Sequence, residues 1–311
     1  MWTIVGDRVI SGGTVTTDEQ PAPETAEGVD VDRPSAARIY DWMLGGTTNW
    51  ALDREFGRRQ LGTLPLMPCL FLANRRWMNR VVREAVEAGV SQFLDLGAGI
   101  PTRPDPAKPA GEQPPANVHD LVAARLGDAG RVVYVDNESV AAAHARIVLE
   151  DQGHRKWAGV AQADLRDPRS VMADEVVRST LDLDRPVCVL LASVLHFVLP
   201  ADRPDEVVAG YRAHLAPGSW VAISHATSTV PDDPELARQL RRVAEAYENT
   251  QNPGYLRDRE EVEALFAGTE LLEPGLVHLP DWRPEPLVSG IAQRKDAAVR
   301  GAYWCGVGRV R

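Results

Sequence analysis

The stretch Ser91-Gln-Phe-Leu-Asp-Leu-Gly-Ala-Gly-Ile-Pro-Thr102 decides the fold. Residues 93–96 are mostly apolar and end at two closely spaced glycines, which predicts a buried strand that opens into a tight loop. Gly97 and Gly99 can adopt backbone conformations closed to other residues, and they let a ligand approach the main chain. In open α/β folds, such loops lie at the ligand-binding edge of the sheet. The alternative is a plain strand-to-helix turn without a ligand.

The residues around this loop distinguish between nucleotide ligands. A dinucleotide-binding loop needs a third glycine three residues after the second, because the pyrophosphate lies there on a helix N-terminus. Thr102 occupies that position, and a proline-rich segment follows instead of a helix. Asp95, at the end of the strand, repels a pyrophosphate and attracts a cation. The loop therefore favours S-adenosylmethionine, which carries a sulfonium, an ammonium and no phosphate, over NAD.

The composition argues against several classes of function. The 311 residues carry 34 basic and 44 acidic side chains, a net charge of −10 without a basic stripe, which argues against a nucleic-acid partner. No apolar run approaches the ~20 residues of a membrane span, and no secretory signal is predicted. The cysteines have no metal-ligand spacing, so we expect reduced thiols, no metal site and a cytoplasmic location: Cys69, Cys188 and Cys305. The oligomeric state stays open.

Three parts are predicted along the chain. Residues 1–32 are acidic and contain prolines, which is typical of a tail or linker, although residues 3–15 could pair as a hairpin. Residues 33–90 predict a helical cap of three helices, and residues 91–311 predict the ligand-binding domain. Residues 103–116 include five prolines and therefore form an insertion that is neither helix nor inner strand.

Strands and helices alternate through the ligand-binding domain. Five strands are predicted at 93–96, 131–135, 157–163, 187–192 and 220–224, and extended stretches follow at 271–278 and 302–310. Helices are predicted over 33–45, 51–61, 70–88, 117–126, 138–151, 168–181, 205–215, 234–248 and 257–266. This alternation predicts an α/β fold with an open, mostly parallel, doubly wound sheet.

Acidic residues end the second and third predicted strands. Asp136 lies 39 residues after Gly97, or 25 when the insertion of 14 residues is discounted, close to the ~20 of ribose-binding carboxylates. Its alternative role is to cap the next helix, since Asn137 follows. Asp164 could accept a hydrogen bond from an adenine amino group while Leu165 packs on the ring.

Candidate bases lie after the fourth and fifth strands and within the first helix. His196 follows Ser193 and could line the site or act as a general base, whereas the alternative is a hydrogen bond to backbone between apolar neighbours. The same two interpretations apply to His225, with less support for a role as a base. Tyr40 is a third candidate base. Spacing places Arg38, Asp41 and Gly45 on one helical face, which indicates either ligand contact or a helix packed through a salt bridge.

These motifs together resemble a family, the S-adenosylmethionine-dependent methyltransferases of high-GC bacteria. The resemblance runs from Arg33 to the C-terminus and is carried by ARIYDWMLGG (37–46), FLDLGAGIPT (93–102), NVH (117–119), YVDN (134–137), ADLRDP (163–168), VLHF (194–197) and SHAT (224–227). It implies a class I methyltransferase (Rossmann-like) sheet of seven strands, with the last strand antiparallel beside the fifth. It implies the cofactor more firmly than the substrate. This sequence departs from the family's usual pattern in two places: it has the insertion at 103–116, and it has Asp120 where the family often has glutamate.

The combined interpretation is a methyltransferase that acts on a small-molecule acceptor. We expect Gly97, Ala98 and Gly99 to meet the amino-acid end of S-adenosylmethionine, with Asp95 near its ammonium. The remaining candidates for cofactor binding are those at the other strand ends: Asp136, Asn137, Asp164, Leu165 and Ser193. The candidates for catalysis are His196, Tyr40 and His225. A regulatory protein that binds the cofactor without turnover, and an NAD-dependent oxidoreductase, are the alternatives.

Overall fold

The computed structural model describes residues 30–103, 114–284 and 298–311. Most of the predicted tail and residues 104–113 of the predicted insertion lie outside the described residues. No helix among the described residues is long and apolar enough to cross a bilayer.

A single mixed sheet organises the described chain. Its strands are β1 (Gln92–Leu96), β2 (Arg131–Asp136), β3 (Ala158–Gln162), β4 (Cys188–Ala192), β5 (Trp220–Ala226), β6 (Thr269–Leu271), β7 (Val277–His278) and β8 (Tyr303–Val310). The strand order is β3-β2-β1-β4-β5-β8-β6, and β7 pairs with β8. Strands β1 to β5 are parallel, and β8 runs antiparallel beside β5, as expected. The sheet has eight strands rather than seven, because the segment before β8 forms two short strands.

Helices cover both faces of the sheet. They are α1 (Ala36–Met43), α2 (Ala51–Thr63), α3 (Met67–Glu87), α4 (Val118–Leu126), α5 (Ser139–Asp151), α6 (Pro168–Ala173), α7 (Glu175–Thr180), α8 (Pro204–Arg212), α9 (Pro234–Tyr247) and α10 (Arg259–Ala264). Phe93 of β1 joins the core cluster that includes α3, whereas Leu94 and Leu96 join the cluster that includes α8. The alternation of side chains along buried parallel strands thus produces one core on each face.

Two predicted boundaries are wrong. The helix predicted at 168–181 is broken at Asp174, whose extended backbone (ψ 138°) ends α6 while its side chain accepts a hydrogen bond from Val176 N and so caps α7. Strand β5 continues to Ala226 rather than ending at residue 224, because its pairing with β8 extends that far. His225 therefore lies within a strand and not in the loop after it.

Candidate active site

The loop after β1 has a backbone that only glycine fits. Gly97 and Gly99 have φ values of +66° and +64°, in the left-handed region. A Cβ added to Gly97 would overlap the side chain of Val194. The N–H groups of Gly97 and Ala98 both donate to Val135 O, at 2.8 and 3.1 Å. The loop is thus tied to the end of β2 and closely covered by the segment after β4.

Asn117 holds the far end of this loop. Its Oδ1 accepts a hydrogen bond from Thr102 N, and its Nδ2 donates to Thr102 O, both at 3.0 Å. The same residue is the N-cap of α4, where Asp120 Oδ2 accepts from Asn117 N at 2.9 Å. The Asn-Val-His motif therefore has a structural role, since it fixes the glycine loop from across the insertion.

Asp136 bonds to the backbone on both sides of the cavity edge and lines the cavity. Its Oδ2 accepts a hydrogen bond from Gly99 N at 2.8 Å, and its Oδ1 accepts from Glu138 N at 2.9 Å. Burial raises the pKa of Asp136 above its ordinary value. The carboxylate lines the main cavity and retains lone pairs beyond these two bonds, so it can still accept from a ligand hydroxyl.

Asp95 is a buried carboxyl group in the cavity wall. It is 5% exposed, and no described residue donates a hydrogen bond to its side chain. Burial raises its pKa to about 7; nearby Arg75 acts in the opposite direction and Asp136 in the same direction. An acid without a partner at this position suits a ligand that brings a positive charge.

One cavity of about 610 Å³ lies at the carboxyl ends of the parallel strands, where α/β folds bind ligands. Its volume is in the usual range for ligand sites. Eleven of the twelve candidates from the sequence line it: Tyr40, Asp95, Gly97, Ala98, Gly99, Asp136, Asn137, Asp164, Leu165, Ser193 and His196.

His225 is the exception, and the structure corrects its candidate role. The side chain is 0% exposed and does not line the cavity. Its Nδ1–H donates to Ala226 O at 2.7 Å, and its Nε2 accepts from Arg257 Nη1 at 2.8 Å. Both ring nitrogens are thus occupied, so His225 cannot take a proton from a ligand in the cavity.

His196 and Tyr40 reach the cavity but are poor bases. Burial, with Arg257 adding to the effect, lowers the pKa of His196 to about 3, so the imidazole is uncharged at neutral pH. Burial raises the pKa of Tyr40, whose hydroxyl donates to Phe71 O at 2.9 Å and accepts from Asn74 Nδ2 at 3.1 Å. Catalysis by these two residues stays a prediction, and their environment favours contact with the ligand over proton abstraction.

Asp164 and Leu165 line one end of the cavity, beside the glycine loop. The Asp164 carboxylate is held by Arg166, whose Nη2 lies 2.6 Å from Oδ2. Leu165 lies beside the glycine loop, within 3.4 Å of where a Gly97 Cβ would stand, and its carbonyl accepts from Tyr211 Oη at 2.8 Å. The polar edge and the apolar surface are therefore both fixed at the same end of the cavity.

The Arg38 motif forms a buried charge network and also touches the cavity. Arg38 is 1% exposed, and it pairs with Asp53 at 2.8 Å and with Glu138. The guanidinium also lies 3.8 Å over the ring of Trp50. Arg38 and Glu138 line the cavity, so the helix is packed through a salt bridge and also reaches the cavity.

Asp41 and Gly45 do not line the cavity, which corrects the ligand-facing role considered for them. Asp41 Oδ2 accepts from Asn49 Nδ2 at 2.8 Å, and its backbone carbonyl accepts from Gly46 N at 2.8 Å. These bonds close the turn after α1. Asp41 thus stabilises the turn after the helix, and the part of α1 that lines the cavity lies towards its N-terminus.

Arg75 is a site residue that the sequence analysis missed. It is 7% exposed and lines the cavity, and its Nη2 donates a long hydrogen bond of 3.5 Å to Ile100 O. Its guanidinium lies 5.8 Å from the ring centre of Tyr40. The available signal was the polar run Asn74-Arg75-Arg76 within a helix that is otherwise rich in apolar residues.

Comparisons with known proteins identify the family. A family model described as S-adenosyl methyltransferase matches residues 22–311. A protein assigned as a methyltransferase from Thermobifida fusca YX is 32% identical, with a TM-score of 0.77 over 93% of this chain and 100% of that chain. A DUF574 family protein from Streptomyces avermitilis MA-4680 is 34% identical, with a TM-score of 0.74 over 90% of this chain and 98% of that chain. A search of the curated proteins finds no match.

The family match includes every described element that lines the cavity. The mostly parallel sheet with antiparallel β8 has the class I methyltransferase architecture. The loop fits the cofactor, because it offers a glycine cradle and an acid without a hydrogen-bond donor but no phosphate-binding helix. The chain therefore belongs to this family of S-adenosyl methyltransferases, and it is an enzyme whose methyl donor is S-adenosylmethionine.

Proposed function

We propose that this enzyme methylates a small-molecule acceptor inside the cavity described above. The observation that carries the proposal is that one cavity joins the ends of β1 to β4 with a largely apolar space between α3 and α9. Donor and acceptor can thus meet without leaving the protein. The net charge of −10 supports a small molecule over a nucleic acid, and the cysteine usage supports a cytoplasmic location.

The amino-acid end of the cofactor meets two opposite charges in this proposal. Asp95 accepts from the ammonium, and Arg75 donates to the carboxylate. Both side chains are buried in the cavity wall, and Arg75 lowers the pKa of Asp95, so their charges interact. Gly97 and Gly99 let this end approach the main chain. The pair therefore matches the zwitterion of an amino acid, which a single charge would not.

The nucleoside end is assigned to the neighbouring strand ends. Asp136 accepts from the ribose hydroxyls with Asn137 beside it, Asp164 accepts from the adenine amino group, and Leu165 packs on the ring. Ser193 contacts the cofactor from the segment after β4. Each of these residues lines the cavity, and Asp136 and Asp164 are already oriented by hydrogen bonds.

Positioning is the main task left to the protein. When bound, S-adenosylmethionine supplies a methyl group on a positively charged sulfur, which departs as a neutral thioether when an acceptor lone pair attacks the carbon. His196 is uncharged at neutral pH and adds no positive charge beside the sulfonium.

The proposal is tested by calorimetry and by transfer of labelled methyl groups. We expect S-adenosylmethionine and its demethylated product to bind, and a panel of small acceptors to yield labelled product. Asp136→Asn should weaken binding of S-adenosylmethionine roughly tenfold, because a charged acceptor becomes a neutral amide. Asp167→Asn is the matched control, since Asp167 also accepts a helix-capping bond, from Ser170 N, but does not line the cavity. Unchanged affinity in Asp136→Asn would contradict the ribose assignment.

Cofactor affinity should rise with pH because of Asp95. The pKa of Asp95 is about 7 in the free protein, so at pH 6 most molecules must lose a proton before the carboxylate can pair with an ammonium. Below pH 7 we expect the affinity to fall by up to about tenfold per pH unit. Calorimetry at pH 6 in two buffers of different ionisation enthalpy should show proton release that vanishes at pH 8. In Asp95→Asn the proton release should be absent; its persistence would assign it to another group.

A further inference from the structure

The part of the cavity away from the glycine loop is largely apolar. Its wall combines side chains of α3 and α9, which lie close to the cofactor-binding strand ends. The residues that matter most are Leu70, Phe71, Leu240, Val243, Ala244 and Tyr247. A surface of this kind, covered by two helices, gains free energy only when apolar atoms of a ligand replace water.

Charged side chains are scarce in this part of the wall. Among the described residues that line it from α9, from residues 197–199 and from residues 251–256, none is charged. From α3 the only charged lining residue is Arg75, which the proposed function assigns to the cofactor carboxylate. A charged acceptor would therefore lose its hydration without gaining a partner, which weakens its binding.

Aromatic rings give the wall flat surfaces. Tyr40 and Phe71 are stacked with ring centres 4.3 Å apart, and Phe197 and Tyr247 have ring centres 5.9 Å apart. Tyr303, at the start of β8 and opposite the end of β5, adds a third tyrosine. Flat rings of this kind pack well against a planar ligand.

A few polar atoms remain for one polar group of the ligand. The Tyr247 hydroxyl has no hydrogen-bond partner among the described residues, and burial raises its pKa, so it stays protonated and can donate. His196 Nδ1 also lacks a partner. These two uncharged groups can serve a hydroxyl or an amine nitrogen but not a full charge.

We propose that the methyl acceptor is an uncharged, ring-containing and largely apolar compound, methylated at a neutral oxygen or nitrogen. This inference rests on the proposed function. The acceptor lone pair forms the new bond to carbon, the electron pair of the broken carbon–sulfur bond stays on sulfur, and the acceptor proton leaves to water. No strong base is required, because the proton becomes acidic as positive charge develops on the acceptor atom.

The test compares two probes of similar shape and different charge. Calorimetry on the full chain, saturated with the demethylated cofactor, measures the binding of 2-naphthol and of 2-naphthalenesulfonate. We expect 2-naphthol to bind at least about tenfold more tightly, on the order of the cost of desolvating an unpaired charge. Equal binding of the two probes, tighter binding of the sulfonate or no binding of 2-naphthol would overturn the proposal.

Two variants locate the bound probe. Ala244→Phe should fill the apolar part of the cavity and overlap the probe. We expect it to lower the affinity for 2-naphthol at least about tenfold and to leave the affinity for the cofactor within about twofold. Glu245→Phe is the control, since the neighbouring residue is exposed and does not line the cavity. Ala244→Leu repeats the test if the larger ring prevents folding, which cofactor binding reports. Unchanged 2-naphthol affinity in both Ala244 variants overturns the assignment, whereas failure of the unmodified chain to bind cofactor would instead overturn the proposed function.

Discussion

Replacing Gly97 with alanine should lower the affinity for S-adenosylmethionine by about 100-fold or more, the penalty expected when a binding loop moves by about 1 Å. The φ of +66° costs an L-residue about 1–2 kcal/mol. The larger effect is steric, because the new methyl group overlaps Val194 and would lie 3.0 Å from its Cβ. The loop must then move, and with it the N–H groups that Gly97 and Ala98 donate to Val135. Calorimetry with S-adenosylmethionine measures the loss.

Gly89→Ala is the control for Gly97→Ala, because it introduces the same backbone strain without the steric overlap. Gly89 ends α3 with a φ of +89°, and nothing lies within 4 Å of an added Cβ. This variant should lose about 1–2 kcal/mol of stability from the same conformational strain and keep its cofactor affinity. If the Gly97 and Gly89 variants bind S-adenosylmethionine equally well, the glycine loop does not contact the cofactor.

Replacing Arg38 with methionine should destabilise the fold by about 3–5 kcal/mol, as expected when one partner of a buried ion pair is removed. Asp53 is fully buried, and both it and Glu138 would lose their cation. The stacking of the guanidinium on Trp50 would also disappear. Urea denaturation followed by circular dichroism measures the change in the free energy of unfolding.

Arg59→Met is the matched control on the neighbouring helix. Its ion pair with Glu55 is exposed and 3.8 Å long, so its loss should cost less than about 0.5 kcal/mol. Because Arg38 and Glu138 line the cavity, the Arg38 variant should also bind cofactor more weakly at temperatures where it remains folded. Equal stability of the two variants would contradict the role given to the buried network.

The sequence predicted the strands and the glycine loop well because these depend on local patterns. Phe93, Leu94 and Leu96, for example, form an apolar run that stops at two glycines, and β1 ends at Leu96. The end of β5 was missed because pairing of His225 with Trp304, 79 residues further on, extends the strand. No local signal near His225 reports that partner.

The pKa values and charge interactions of the site could not be predicted from the sequence either, because they depend on residues that are distant along the chain. The pKa of His196 falls to about 3 through burial and through Arg257, which is distant in sequence. Arg257 donates to Leu195 O, Val198 O and His225 Nε2, so it fixes the turn that carries His196. Arg75 was overlooked because only the packing of α3 against the strand ends brings its guanidinium to Asp95.

The hydrogen bonds between Asn117 and Thr102 hold the glycine loop in place whatever the length of the segment between these two residues. Two hydrogen bonds join Thr102 and Asn117, which have 14 residues between them, so the two ends of that segment are held together. The entropic cost of closing a loop between two such residues grows only slowly with the length of the loop. We therefore expect that relatives can differ in the length of this segment and still bind S-adenosylmethionine in the same way. The segment is thus a suitable place to insert a tag or a second domain.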